Sequence, residues 1–347
     1  MLFDSHTTTC TVVQMKVAIS GFGRIGKSFL RAAVKQGALG REFDVVAINT
    51  RSPVEQHAHL FKYDSVYGRF DGEVAVKNGN LSINGYEIKW IAETDPLKLP
   101  WKELGVDLVL DSTGAFKSKA DAEKHMKAGA KAVLISAPAK DVDATIVPGV
   151  NDHLMAKNMK VFSLASCTTN CLAPILKTID AKFGIESGFL STVHAYTNDQ
   201  NLVDGSHSDW RRARAAAINI IPTSTGAAKA IGDVIPSLAG SMDGLAFRVP
   251  VANGSMNDMT LLLKKDASAE EINAELKRAS NEELKGILGY TEELIVSSDI
   301  VGTTQSSIVD GKLTKSKGKL AKICAWYDNE FGYSNRLVDF VKKLAKL

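Results

Sequence analysis

The sequence predicts an α/β chain of two domains, an N-terminal doubly wound domain followed by an α+β domain built on a mixed sheet. Three observations carry that prediction. Short apolar strands alternate with helical patterns from residue 16 onward. A glycine-rich turn joins the first strand to the first helix. From about Gly188 the pattern changes to longer, β-rich segments. At 347 residues the chain is long enough for two domains.

Residues 16–20 read as a short apolar strand that runs into Gly21-Phe22-Gly23-Arg24-Ile25-Gly26 and then a helical pattern ending near Gln36-Gly37. Residues 44–49 form the second strand. Strand, glycine-rich turn, helix and strand within about thirty residues is the setting of a Rossmann dinucleotide-binding fingerprint. The first glycine permits the tight turn, the second lets the backbone approach a pyrophosphate, and the third allows close helix–strand packing. The helix start supplies N–H groups for an anion. Gly21, Gly23, Arg24, Ile25 and Gly26 are therefore cofactor candidates, and a chance turn is the competing reading of such a motif taken alone.

The alternation continues through a strand at 107–111, leading to Ser112-Thr113-Gly114, a helix at 120–127 and a strand at 132–136. Polar loops at strand ends are where open α/β sheets bind ligands, which adds Thr113 and Ser136 to the cofactor set. Beyond them, 188–194, 244–249, 259–264 and 320–327 read as strands. The closing helix shows an apolar stripe of Leu337, Val338, Val341, Leu344 and Leu347. With no repeat and no low-complexity linker, the boundary is expected to be a packed junction near 164–167.

Composition excludes several classes. Hydrophobic residues at 45% and charged residues at 23% suit a soluble globular protein, and a net charge of +3 spread along the chain does not call for nucleic acid or membrane as a main partner. Four cysteines (Cys10, Cys167, Cys171, Cys324) are too few for a disulfide framework and lack zinc spacing, so no metal is expected and the compartment is reducing, most simply the cytoplasm. No apolar run reaches the ~20 residues needed to span a bilayer. Residues 1–14 are polar and Thr-rich, unlike a secretory signal, and are expected to be a disordered extension ahead of Met15.

The most informative stretch is Ala165-Ser166-Cys167-Thr168-Thr169-Asn170-Cys171, with His194 following 27 positions after Cys167. Small polar residues precede an apolar helix-like run over 171–183, which puts Cys167 near a helix start. There, free N–H groups and the helix dipole favour a thiolate. A histidine close in space completes a nucleophile–base pair. A buried structural cysteine is the bland alternative.

Taken together these segments closely resemble phosphorylating glyceraldehyde-3-phosphate dehydrogenases, over nearly the whole chain from Met15. The residues that carry the resemblance are Gly21 to Gly26, Ser166 to Asn170, Val193-His194-Ala195-Tyr196-Thr197-Asn198-Asp199-Gln200, Arg211-Arg212-Ala213-Arg214, Ile221-Pro222-Thr223-Ser224-Thr225-Gly226-Ala227-Ala228-Lys229, Phe247-Arg248-Val249-Pro250 and Trp326-Tyr327-Asp328-Asn329-Glu330. The resemblance implies that Cys167 attacks an aldehyde, that His194 lowers the thiol pKa as an imidazolium and then takes the hemiacetal proton, and that phosphate releases the acyl group. It implies that Asn329 holds the nicotinamide carboxamide; a plain turn residue is the alternative. One phosphate subsite would use Thr197, Arg212 and Arg248, and the other Ser166, Thr168, Thr225, Gly226 and Arg248. Without the resemblance, Arg211, Arg212 and Arg214 read as an exposed basic face. The family further implies a homotetramer, with 197–221 at the subunit contact. The domains are then 15–165, completed by the C-terminal helix 331–347, and a catalytic domain at 166–330.

The sequence departs from the family pattern after the second strand. NAD-using members carry an Asp there, whereas this chain reads Asn49-Thr50-Arg51-Ser52, with Glu55 the nearest carboxylate downstream. Losing the acid removes its repulsion of a 2′-phosphate, and Thr50 and Arg51 offer donors to one. Gly205-Ser206 replaces the bulkier pair typical of NAD-type members, so NADP is the favoured coenzyme, with NAD or dual use competing and Arg51 alternatively only solvated. Ser20 and Leu164 stand where Asn is common. An erythrose-4-phosphate dehydrogenase of the same scaffold is the nearest alternative activity, since it deacylates with water. Aspartate-semialdehyde dehydrogenases lack the segments quoted. A silent module using the dinucleotide groove for RNA is disfavoured by the retention of Cys167, His194 and Asn329, though RNA binding as a secondary property is compatible with the enzyme.

Overall fold

The computed structural model describes residues 14–347. The expected extension at 1–14 lies outside them except for Gln14, whose side-chain amide donates to the carbonyls of Gly40 and Arg41. Strand β1 (Met15–Ser20), helix α1 (Arg24–Lys35) and strand β2 (Phe43–Asn49) form the first unit. Val17, Ala18 and Ile19 are fully buried, as a strand covered on both faces must be. Helix α1 buries Phe29, Leu30, Ala32 and Ala33 and ends where Gly37 takes a φ of +63°.

Strands β3 (Leu108–Asp111) and β4 (Ala132–Ile135) complete the parallel centre of a nine-stranded sheet. Its order is Ala144–Thr145, Val161–Ser163, β4, β3, β1, β2, Tyr86–Ile91, Asn80–Ile83 and Val74–Lys77. All pairings are parallel until the last three strands, which form an antiparallel meander. With β2 on one side of β1 and β3 on the other, the connections leave β1 in opposite directions. That places a ligand crevice beyond the carboxyl ends of β1 and β3.

The second sheet is mixed. Helix α2 (Cys167–Phe183) leads into β5 (Ile185–Ala195), then β6 (Met242–Val249), β7 (Ser255–Leu263) and β8 (Leu320–Tyr327). The order runs Ile221–Ser224, β6, β5, β7, β8, Ser307–Asp310 and Leu288–Thr291. Strands β5 and β6 are parallel, while β5–β7 and β7–β8 are antiparallel. Along β7 the inward positions Met259, Leu261 and Leu263 alternate with half-exposed ones and pack under Leu172, Ile175, Leu176 and Ile179 of α2.

Helix α3 (Phe331–Leu344) returns to the first sheet and puts Leu337, Val338, Phe340 and Val341 into the same core as Val17 and Ile19. Full burial of each such side chain contributes about 1.5–3 kcal/mol. The expected stripe is one residue too long: the helix stops at Leu344, and Leu347 is 38% exposed.

Candidate active site

The nucleophile candidate owes its position to a kink. After Val161–Ser163 the chain turns at Ala165, which adopts a φ of +54°, unusual for a residue with a Cβ. Three hydrogen bonds hold it: Ala165 N–H donates to Ser163 Oγ, Tyr333 OH donates to the Ala165 carbonyl, and Asn170 Nδ2 donates to the Leu164 carbonyl at 2.7 Å. Leu164 itself is fully buried in the first core, so at this position an apolar contact stands where an amide is common. Ser166 then caps α2, its Oγ accepting from Thr169 N–H at 3.0 Å, and Cys167 is the first helical residue. The helix thus begins four residues earlier than the apolar run suggests.

Cys167 is half-buried where the two cores meet. Burial pushes its thiol pKa up, while the Arg248 guanidinium and the N–H groups of Thr168 and Cys167 pull it down. Its Sγ lies 3.5 Å from His194 Nε2 on β5. Burial, then Arg248, push His194 down to about 3. Enclosure of the ring and the cation it faces both resist a positive charge on it. His194 Nδ1 is 2.7 Å from the Ala195 carbonyl. With Nδ1–H donated there, the tautomer assigned from these contacts leaves the Nε2 lone pair toward the sulfur.

Arg248 on β6 sits directly opposite His194 in the parallel register. Its Nη1 donates to the Ala195 carbonyl at 3.0 Å and Thr197 Oγ1 at 3.3 Å, and lies 2.9 Å from His194 Nδ1. Its Nε is buried without a partner among the described residues. Arg212 is the one of the three clustered arginines that turns inward, with a side chain 18% exposed against 63% for Arg214. It donates to Thr223 Oγ1 and the Ser224 carbonyl and pairs with Asp199. Its charge reaches both His194 and Arg248. Thr225 and Gly226 follow the strand Ile221–Ser224, and no atom lies within 4 Å of a Cβ built on Gly226 among the described residues.

Two expected anion ligands are already engaged. Thr168 is buried and its hydroxyl is 2.9 Å from Tyr327 OH, which leaves it further hydrogen-bonding capacity. Ser166 spends one lone pair on its cap. The residues that sequence reasoning missed are those that hold the others. Tyr327 OH also meets Thr192 Oγ1 at 2.8 Å, and its ring stands edge-on to His194 at 5.9 Å. Ser255 Oγ accepts from Ala195 N–H and donates to Asn329 Oδ1 at 2.8 Å, while Gly254 N–H donates to the same Oδ1. With Oδ1 so held, the Asn329 amide presents Nδ2 as its donor.

The crevice beyond β1 suits a dinucleotide. A Cβ on Gly21 would come within 2.7 Å of Thr113 N, and one on Gly26 within 2.5 Å of the Gly21 carbonyl. By contrast, a Cβ on Gly23 would meet nothing within 4 Å among the described residues. The first and third glycines thus pack protein on protein, and the second borders open space. The start of α1 has neither a side-chain cap nor an acid in its first turn, which leaves its N–H groups for an anion. Thr113, after β3, is exposed, with its hydroxyl donating to Asp111 Oδ1 at 2.9 Å; Ser136, after β4, is half-buried, its N–H bound to the Asp111 carbonyl. These residues fit a nicotinamide dinucleotide.

Comparison with known proteins agrees with this geometry. Residues 15–119 match the NAD binding domain of glyceraldehyde 3-phosphate dehydrogenase, and residues 166–329 match its C-terminal domain. The glyceraldehyde-3-phosphate dehydrogenase of Thermotoga maritima is 55% identical over 333 residues, 96% of this chain and 99% of the relative. The chain belongs to the glyceraldehyde-3-phosphate dehydrogenase family. Relatives from Borreliella burgdorferi and Bacillus subtilis, 54% and 52% identical, each cover 96% of it.

Within this family framework three sequence candidates stand apart. Arg24 does not point its guanidinium at the crevice but ties it to Asp64 and Glu330. Thr50 is half-buried after β2, held by its N–H on the Ile91 carbonyl, with Arg51 exposed beside it. Ser206 is exposed on the loop after β5, where its carbonyl accepts from Asn201; among the described residues no hydrogen bond joins it to the first sheet.

Proposed function

We propose that this chain catalyses the phosphorylating oxidation of D-glyceraldehyde 3-phosphate to 1,3-bisphosphoglycerate, or the reverse, through a thioester on Cys167. The single observation that carries the reading is His194 Nε2 lying 3.5 Å from Cys167 Sγ at the start of a helix capped by Ser166. The ring takes the thiol proton as sulfur bonds the aldehyde carbon, returns it to the oxygen of the thiohemiacetal, and removes it again when that carbon is oxidised. A nicotinamide dinucleotide bound along α1 and Asn329 supplies the hydride acceptor. Arg248 and Arg212, with Thr197, hold one phosphate; Arg248 with Ser166, Thr168, Thr225 and Gly226 holds the other, which attacks the thioester and releases the sulfur as thiolate.

NADP is the favoured coenzyme. Support comes from Thr50, where the acid that repels a 2′-phosphate is replaced by a hydroxyl, with Arg51 exposed next to it. Nearby, Glu93 turns Oε1 onto the N–H groups of Thr94 and Asp95. The chain works as a homotetramer in the cytoplasm, its subunit contact formed by the loop that carries Leu202, Val203, Trp210 and Ile218, each at least 71% exposed. The domains divide at 165, with 331–347 returning to the first.

Steady-state turnover with glyceraldehyde 3-phosphate, titrating phosphate, NADP and NAD separately, tests all of this. A strict phosphate requirement is expected, with kcat/KM higher for NADP. Turnover without phosphate would assign the chain to water-deacylating relatives, and a preference for NAD would sink the Thr50 argument alone.

A further inference from the structure

Arg24 opens α1 beside the bare N–H groups, yet its side chain leaves that terminus altogether. Its Nε donates to both Glu330 oxygens at 3.0 and 3.1 Å, its Nη2 pairs with the same carboxylate, and its Nη1 meets Asp64 Oδ2 at 2.6 Å. The partners are well enclosed, with side chains 4% exposed for Asp64 and 16% for Glu330. An isolated surface ion pair contributes little. This one is bidentate, partly dry and extended by further groups. Asp64 Oδ1 accepts from Val66 and Tyr67 N–H; against the upward push of burial, these N–H groups and Arg24 hold the Asp64 carboxyl below the usual range.

Glu330 follows Asn329 directly, and the preceding Asp328 is fixed just as firmly. Asp328 Oδ1 accepts from Glu330 N–H, Phe331 N–H and Tyr67 OH at 2.7–2.9 Å, and Oδ2 accepts from Gly302 N–H. Tyr67 OH in turn accepts from Asn253 Nδ2, and the Arg24 guanidinium stands 5.6 Å from the Tyr67 ring centre. The segment 328–330 is therefore gripped from α1 and from the short strand Tyr63–Asp64, both in the first domain, although the Asn329 amide is tied through Ser255 to the Ala195 N–H, next to His194.

We propose that Arg24 and Glu330 act as a positioning couple that registers the amide of Asn329 against the helix start holding the pyrophosphate. The two ends of one dinucleotide, its phosphates and its nicotinamide, are thereby set at a fixed span by an ion pair that touches neither. The proposal rests on the reading of Asn329 as the carboxamide partner. It predicts that loosening the couple weakens ligands that engage both ends and spares those that engage one.

The test compares binding of the oxidised dinucleotide and of ADP-ribose, which lacks nicotinamide (with the 2′-phosphate where NADP proves the coenzyme). Glu330→Gln is expected to weaken the dinucleotide about five-fold or more while ADP-ribose stays within about two-fold. Arg24→Lys, which keeps the charge and loses the fork, gives the same ratio at smaller size and serves should the first variant fold poorly. Equal loss for both ligands, or loss for neither, overturns the proposal. Asn329→Ala separates the underlying reading: if it leaves the dinucleotide to ADP-ribose ratio unchanged, Asn329 is not the carboxamide partner, whereas a changed ratio there with none in Glu330→Gln refutes the couple alone.

Discussion

The starts of α1 and α2 are two helix N-termini with opposite fates. Both carry the same excess of N–H groups and the same dipole, and neither has an acid in its first turn. At α1 the cap is Gly23, which contributes no side chain, and the space beside it is open among the described residues. At α2 the cap is Ser166, which uses one N–H, and the N–H groups of Cys167 and Thr168 lie where they lower the thiol pKa against the larger upward push of burial. One terminus is left unsatisfied for an anion that arrives from solution; the other carries a thiol of the chain itself, which burial holds toward its protonated form until a base takes the proton. The difference lies in one residue type at the cap and one at the following position, not in the helices.

Replacing the nucleophile should have the largest effect. Cys167→Ser is expected to cut kcat by at least about 10³-fold while dinucleotide affinity at α1 holds within about two-fold, measured by single-turnover kinetics and titration. Loss of dinucleotide binding as well would mean that the two termini are not independent.

Next comes the base. His194→Gln should lower kcat by about 10²–10⁴-fold. The ring has a second consequence, because its folded pKa lies at about 3 and its ordinary value at 6.5. Between those values the folded state leaves it neutral while the unfolded chain protonates it, so stability falls as pH drops from 6.5 toward 3. Urea unfolding at neutral pH and near the middle of that window should show a shallower fall in His194→Gln. His57, pushed down to about 4 by burial and Lys27, keeps a residual slope in both proteins.

Gly23→Ala sharpens the comparison from the other side. Since a Cβ there meets nothing among the described residues, unfolding temperature should hold, while dinucleotide affinity falls by about tenfold. An unchanged affinity would move the pyrophosphate away from α1. The smallest change expected is Ser166→Ala, with a cost of about 1 kcal/mol in denaturant unfolding and little loss of dinucleotide binding.

The features legible in the sequence are those set by local chemistry. Gly21, Gly23 and Gly26 announce themselves because backbone approach distances exclude any other side chain at two of the three. The start of α2 was legible, with Cys167 expected near it and found as its first residue; the apolar run over 171–183 marks only the buried face of the helix, and Ser166 marks its end. The ladder through residues 74–91 went unread because its strands are short, the outer one is half-exposed, and polar or charged residues interrupt all three. Tyr327 and Ser255 escaped for another reason. Their worth depends on partners such as Thr168 and Ala195, 159 and 60 positions away, and no spacing rule connects them. The state of His194 was likewise beyond reach, being decided by enclosure and by Arg248 across the sheet register.

The return of α3 to the first sheet bears on how the chain is made. Leu337, Val338, Phe340 and Val341 fill the core around Val17 and Ile19, and Tyr333 holds the carbonyl of the kinked Ala165. A nascent chain leaving the ribosome amino end first can pair β1, β2 and β3 early, but it cannot close that core or pin the nucleophile's turn until the last turns of helix emerge. Loss of only the final segment by a premature stop would then yield a protein with every catalytic side chain encoded but with the turn of its nucleophile unpinned.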